Sequence, residues 1–226
     1  MNMDLKDNIH ILAIQKILEE IGERVEGNLF CDIEARNYVY TTFSDKIKNL
    51  QALCKDKKKI CEIGVNACHS LLIMLLVNPD AEYLLFDLNN HRYTEPCLKY
   101  IKSAFPNTTI RVIFGNSVET LTKYVSENEK ELHQYDMCHI DGGHTENIFS
   151  FDYNNIKQLS QADSPVIFDD YDMCDIRNFI NNKIASKEIV EYTNTALVKT
   201  GYHFIFSYLP PTEPRRLLLT QKNFKN

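Results

Sequence analysis

Apolar and polar positions along this chain follow two different periods, and the change of period divides it. Over residues 9–21, Ile11, Ile14, Ile17, Leu18 and Ile21 recur at helical spacing with Lys16, Glu19 and Glu20 between them. That stripe predicts an amphipathic helix ending near Gly22. Residues 33–54 carry Val39, Phe43, Ile47, Leu50 and Leu53 and are expected to form a second helix or two short ones. Such a helical pair has three uses open to it: packing on a sheet, covering a site, or pairing with a second subunit.

From Lys59 onward, short apolar runs alternate with amphipathic stretches, which is the pattern of a doubly wound parallel sheet. Strands are expected at 59–63, 82–88, 109–114, 135–140 and 165–168, with helices at 67–77, 95–104, 118–131, 146–159 and 174–184. Asn78-Pro79 and Pro106 end two of these helices, because proline cannot donate the hydrogen bond that would continue them. Two further strand-like runs, 188–192 and 202–208, flank a polar segment containing Gly201 and predict an antiparallel pair at the sheet edge. The expected organisation is an N-terminal helical cap over 1–58, one α/β domain over 59–209 and a C-terminal tail over 210–226, where Leu217 to Leu219 could dock locally.

Composition narrows the partners. The net charge of -6 and a pI near 5.7 argue against a nucleic-acid surface, which needs clustered Lys and Arg. The one basic run, residues 55–59, reads as a solvated loop entering a strand. The seven cysteines are spread without a CxxC pair, so neither a disulfide framework nor a zinc knuckle is indicated and a reducing compartment is expected. No signal peptide precedes the first helix, and the apolar run 71–77 falls far short of the roughly twenty residues a membrane span needs. A soluble, cytoplasmic protein is the expectation.

Candidate chemistry gathers at strand ends. The stretch 135–144 (YDMCHIDGGH) closes one strand with Asp141 and His144, and the strand at 165–168 ends in Asp169-Asp170. If the two strands are neighbours, three carboxylates and an imidazole meet at one edge, a set suited to a hard divalent cation such as Mg2+ with a base beside it. Taken singly, Asp141 also suits a turn, Asp169-Asp170 a helix cap, and His144 a capping role. His139, within the strand, reads as a buried structural histidine, while His91 and Tyr93 fall near the edge after the second strand. In the first strand-to-helix turn, Gly64 alone lets the backbone approach a ligand; a dinucleotide would require three glycines there.

These residues carry a resemblance to the class I S-adenosylmethionine-dependent methyltransferases, covering about 59–208. Glu62, Gly64 and Ser70 match their first motif, with Cys68 standing where a second glycine is usual. The resemblance implies that Asp87 takes the ribose hydroxyls, that Gly115-Asn116-Ser117 contacts the adenine, and that Asp141 adjoins the methyl donor. Within the class, Asp141 followed by Asp169-Asp170 is similar to the metal-dependent small-molecule O-methyltransferases of macrocin and catechol type. That likeness implies a Rossmann-like seven-stranded sheet, mostly parallel with an antiparallel C-terminal edge and an N-terminal helical addition. It further implies S-adenosylmethionine and Mg2+ as cofactors, Asp141, Asp169 and Asp170 as metal ligands, and His144 with Asp141 as the catalytic pair. The implied acceptor is a hydroxyl on a small molecule, a sugar among the candidates, with no nucleic acid or membrane partner and homo-oligomerisation left open. Rival readings are an inert methyltransferase-like scaffold and a metal-dependent hydrolase or lyase.

Overall fold

The helical stripe at the start of the chain forms because its ends are well specified. Asn8 caps α1 (Ile9–Ile21) by accepting from the backbone N–H groups of His10 and Ile11, and Gly22 closes it in the left-handed conformation. The helix buries Ile11, Ile14 and Leu18. The computed structural model describes residues 5, 7–26, 29, 31–32, 37–38 and 43–210. The expected helix over 33–54 is corrected: α2 spans only Ser44–Cys54, and β1 (Cys31–Asp32) pairs antiparallel with β2 (Asn37–Tyr38). The expected docking of Leu217 to Leu219 lies outside the described residues.

The alternating region gives β3 (Lys59–Ile63), α3 (His69–Val77), β4 (Glu82–Asp87), α4 (Thr94–Ala104), β5 (Ile110–Phe114) and α5 (Ser117–Glu127). It continues with β6 (Met137–Ile140), α6 (Glu146–Leu159), β7 (Val166–Phe168), α7 (Cys174–Ala185), β8 (Ile189–Glu191) and β9 (Phe204–Tyr208). Strand order across the sheet is β5-β4-β3-β6-β7-β9-β8. The first five strands in that order run parallel, and β9 is antiparallel to both neighbours. The chain winds outward from β3 to β5 and then returns to place β6 on the other side of β3. That reversal opens a crevice beyond the carboxyl ends of β3 and β6, where ligands bind in open α/β sheets.

Strand alternation sorts the core into two halves. Ile60, Met137, Ile167 and Ile205 point into the half that also holds α1 to α4, while Cys61, Ile63, Cys138, Ile140, Phe168 and Phe206 point toward α5 to α7. By the same parity Glu62 in β3, His139 in β6, Asp169 just after β7 and His203 just before β9 fall on the α1–α4 side. All four are buried. Helix α2 is fastened near them, because Asn49 donates to the Val198 carbonyl at 2.9 Å and accepts from the Val198 N–H at 2.8 Å. Among the described residues no helix is long and apolar enough to cross a membrane.

Candidate active site

Four strand ends build the site. At the end of β3, Gly64 holds φ +87, a conformation that costs a side chain dearly. A Cβ there would overlap the Asp141 carbonyl oxygen and lie 2.6 Å from the carbonyl carbon. The glycine therefore lets the first turn close onto the turn after β6. At the end of β4, Asp87 receives that turn: its Oδ2 accepts from the N–H groups of Val65 (2.8 Å) and Asn66 (2.9 Å), and Oδ1 accepts from Asn89 N–H (2.7 Å). Three of the four acceptor positions on the carboxylate are thus filled, and one on Oδ1 stays open.

A cleft of about 340 Å³ lies over these ends, with Gly64, Asp87, Asn116, Ser117, Asp141 and His144 in its walls. Asn116 caps α5, its side-chain oxygen accepting from Val118 N–H at 3.0 Å. Ser70 lines a smaller adjoining cavity that shares Gly64 and Asp141 with the cleft and adds Lys46, His139 and Asp169. Of the residues expected to hold a cofactor, Glu62 alone lines neither. It is fully buried, and its Oε1 accepts from His139 Nδ1 at 2.9 Å. The open acceptor on Asp87, the glycine cradle and the cleft together fit a nucleoside bearing ribose hydroxyls.

The carboxylates are unlike one another electrostatically. Burial and the neighbouring charge of Asp169 push Asp141 well above the ordinary carboxylate range. Burial opposes ionisation of Asp169 too, but His203, His139 and Lys46 outweigh it and hold this carboxyl well below that range. Lys46 Nζ lies 2.6 Å from Asp169 Oδ2, both side chains being nearly excluded from solvent. Burial alone would depress His139; the Asp169 and Glu62 carboxylates overcome it and push the imidazole up to about 10. His144 Nε2 stands 2.7 Å from Asp170 Oδ2, and that hydrogen bond raises the imidazole above its usual value.

Asp141, Asp169 and Asp170 do share one edge, each acting on the charge of Lys46. Two of the three already hold a cationic partner. Asp169 Oδ2 is taken by Lys46, its Oδ1 accepts from Asp170 N–H at 2.8 Å, and Asp170 is taken by His144. An Mg2+ ion on this aspartate set would therefore compete with Lys46 for Asp169 and with His144 for Asp170.

Three contributors were not evident from local pattern. Lys46 belongs to the N-terminal helices, whose register over the sheet no spacing rule supplies. His203 precedes an apolar strand, and only strand parity would have paired it with Asp169. Asp152 on α6 is buried beneath Gly142, and burial, partly offset by Ser117, pushes it up to about 6.

Residues 61–171 match the family model described as a methyltransferase domain. No curated protein matches the chain by sequence. Among solved structures, the O-methyltransferase TomG from Streptomyces achromogenes, involved in tomaymycin synthesis and solved with SAM, superposes with a TM-score of 0.60 at 13% identity, covering 92% of each chain. A methyltransferase from Geobacter sulfurreducens superposes with a TM-score of 0.58 at 9% identity, covering 91% of this chain and 90% of its own. At such identities the likeness establishes a shared fold.

Proposed function

We propose that this chain, a class I S-adenosylmethionine-dependent methyltransferase by its matched domain and its fold, methylates a hydroxyl oxygen of a small molecule. The observation that carries this reading is the convergence of the Gly64 turn, Asp87 and Asp141 on one cleft whose wall also includes His144, itself paired with Asp170. When bound, S-adenosylmethionine supplies an electrophilic methyl on a sulfonium. Asp87 would take a ribose hydroxyl at its open Oδ1 position, and Asn116 and Ser117 would flank the base. His144 would accept the acceptor's hydroxyl proton as the oxygen attacks, and Asp170 would stabilise the imidazolium that results. A sugar or another small polyol suits a cleft with so many polar groups; the acidic net charge of -6 disfavours a nucleic-acid acceptor. A divalent cation on Asp141, Asp169 and Asp170 would compete with Lys46 and His144 for their carboxylates, and no step is routed through it.

Calorimetry with S-adenosylhomocysteine tests the first half. Saturable binding should weaken by about thirtyfold or more in Asp87→Ala, as expected for loss of charge-assisted hydrogen bonds of about 2 kcal/mol. Absence of binding by the unmodified chain would sink the proposal.

The second half has a sign that can be checked. Asp170 raises His144, so the neutral, proton-accepting form accumulates only above a pH higher than the ordinary imidazole value near 6.5. The rate of methyl transfer to a hydroxylated acceptor should therefore climb with pH through a midpoint above 6.5, and Asp170→Asn should move that midpoint downward. A midpoint indifferent to Asp170→Asn rules out His144 as the base.

A further inference from the structure

The structure assigns a second kind of metal site, not the aspartate triad: we propose that His139, Asp169 and His203 bind one divalent cation of the imidazole-preferring class, Zn2+ or Co2+. The three side chains are buried and each offers one ligand atom, all within 4.8 Å of one another. Asp169 Oδ2 lies 3.5 Å from His203 Nε2 and 3.8 Å from His139 Nε2. These separations are too long for good hydrogen bonds. They are close to the roughly 3.3 Å between donors bonded at about 2.0–2.1 Å in a tetrahedral site. The two imidazoles meet edge to face with ring centres 5.9 Å apart, so a modest side-chain rotation brings both nitrogens onto one ion.

Two independent features point the same way. Among the described residues, the buried His139 Nε2 and His203 Nε2 have only Asp169 Oδ2 facing them, at 3.8 and 3.5 Å, and no hydrogen bond of good length. Buried nitrogens held that far from their partner are poorly satisfied, and an ion seated among the three would meet all of them. In addition, His139 Nδ1 donates to Glu62 Oε1 at 2.9 Å. A carboxylate behind a histidine, fixing its tautomer so that the other nitrogen faces inward, is the usual outer shell of a metal-bound imidazole. Glu62 thereby acquires a role that its exclusion from the cofactor cleft left open.

The donor set selects the ion. Two imidazoles and one carboxylate suit Zn2+ and its first-row neighbours, whereas Mg2+ favours oxygen ligands. Access exists from both sides: His139 and Asp169 line the small cavity beside the cofactor cleft, and His203 lines a separate cavity of about 440 Å³ walled by the segment connecting β8 to β9. Lys46 is the competing cation, since its ammonium rests on the same Asp169 oxygen. The ion would displace it from Oδ2 and leave it beside Asp141, whose charge already acts on it. The site stands on its own ligands whichever reaction the cleft performs.

The test uses the full chain stripped of metal with a chelator and titrated with Co2+. One equivalent should bind, with the intense visible absorption of four- or five-coordinate Co2+, and Zn2+ should displace it. His203→Gln should abolish that absorption while S-adenosylhomocysteine binding persists, and Asp141→Asn should leave it intact. Lys46→Met should bind Co2+ about tenfold more tightly, because a like charge has been removed from the site; this variant decides the matter if His203→Gln fails to fold. The proposal is overturned if Co2+ does not bind or binds without the intense absorption. Absorption that survives His203→Gln and vanishes in Asp141→Asn, or an affinity unchanged in Lys46→Met, also overturns it. Because cofactor binding is measured alongside, failure of the metal site is distinguishable from failure of the methyltransferase reading.

Discussion

Gly64→Ala is expected to abolish binding of S-adenosylhomocysteine and to destabilise the protein by on the order of 4 kcal/mol. The added methyl would meet the carbonyl oxygen and carbon of Asp141 and the N–H nitrogen of Gly142 at 3.3 Å, all of them backbone atoms that cannot rotate aside. The φ of +87 adds strain of its own. Relief requires the β3 turn to lift away from the β6 turn, which would also withdraw the Val65 and Asn66 N–H groups from Asp87. Gly22→Ala is the control: φ there is +67 but nothing lies within 4 Å of the added Cβ, so the cost is confined to about 1 kcal/mol of backbone strain. Thermal melts and calorimetry on the two variants decide it. A Gly64→Ala protein with unaltered melting temperature and cofactor affinity would show that the two turns are not held together as described.

Lys46→Met should cost about 3–5 kcal/mol in the metal-free protein, although the substitution keeps a long unbranched side chain. The reason is what stays behind. Asp169 is 3% exposed and would keep its charge beside Asp141 and Asp170 with its nearest cation gone. Removing Lys46 leaves Asp169 compensated only by His139 and His203 at 3.8 and 3.5 Å, which is costlier than losing an exposed pair. Lys48, on the same helix and paired with Asp45 at 3.2 Å, has both side chains about half exposed, and Lys48→Met should alter stability by less than about 0.5 kcal/mol. Denaturant titration of the two variants provides the comparison, and equal stability losses would refute the buried-pair account. Added Zn2+ should restore much of the loss in Lys46→Met if His139, Asp169 and His203 take the ion, since binding to the native state alone stabilises it.

The extent to which the chain could be read locally follows from how each feature is encoded. The expected α1 over 9–21 and α6 over 146–159 coincide with the observed helices, because apolar period and capping residues are both local. The second N-terminal helix begins later than its apolar period suggests: Val39 and Phe43 continue a helical spacing, whereas Asn37 and Tyr38 pair with Asp32 and Cys31. Short apolar runs at 59–63 and 135–140 sufficed for β3 and β6, though the second begins only at Met137, Tyr135 making an isolated bridge to Ser160. His139 was legible as a buried histidine but not as the partner of Glu62. Those residues are far apart in sequence and become neighbours only through the β3–β6 register, in which they stand directly opposite one another.

By itself, the sequence determined the succession of strands and helices from 59 to 208 and the arrival of Gly64, Asp87, Asp141 and Asp169 at strand ends, because hydrophobic period and turn chemistry act over a few residues. Only the tertiary structure decided which of those ends share a charge environment. Strand order set Glu62, His139, Asp169 and His203 side by side on one face, and the seating of α2 brought Lys46 down onto Asp169. Those contacts join segments separated by long stretches of chain, and their strength depends on burial, which no local pattern carries.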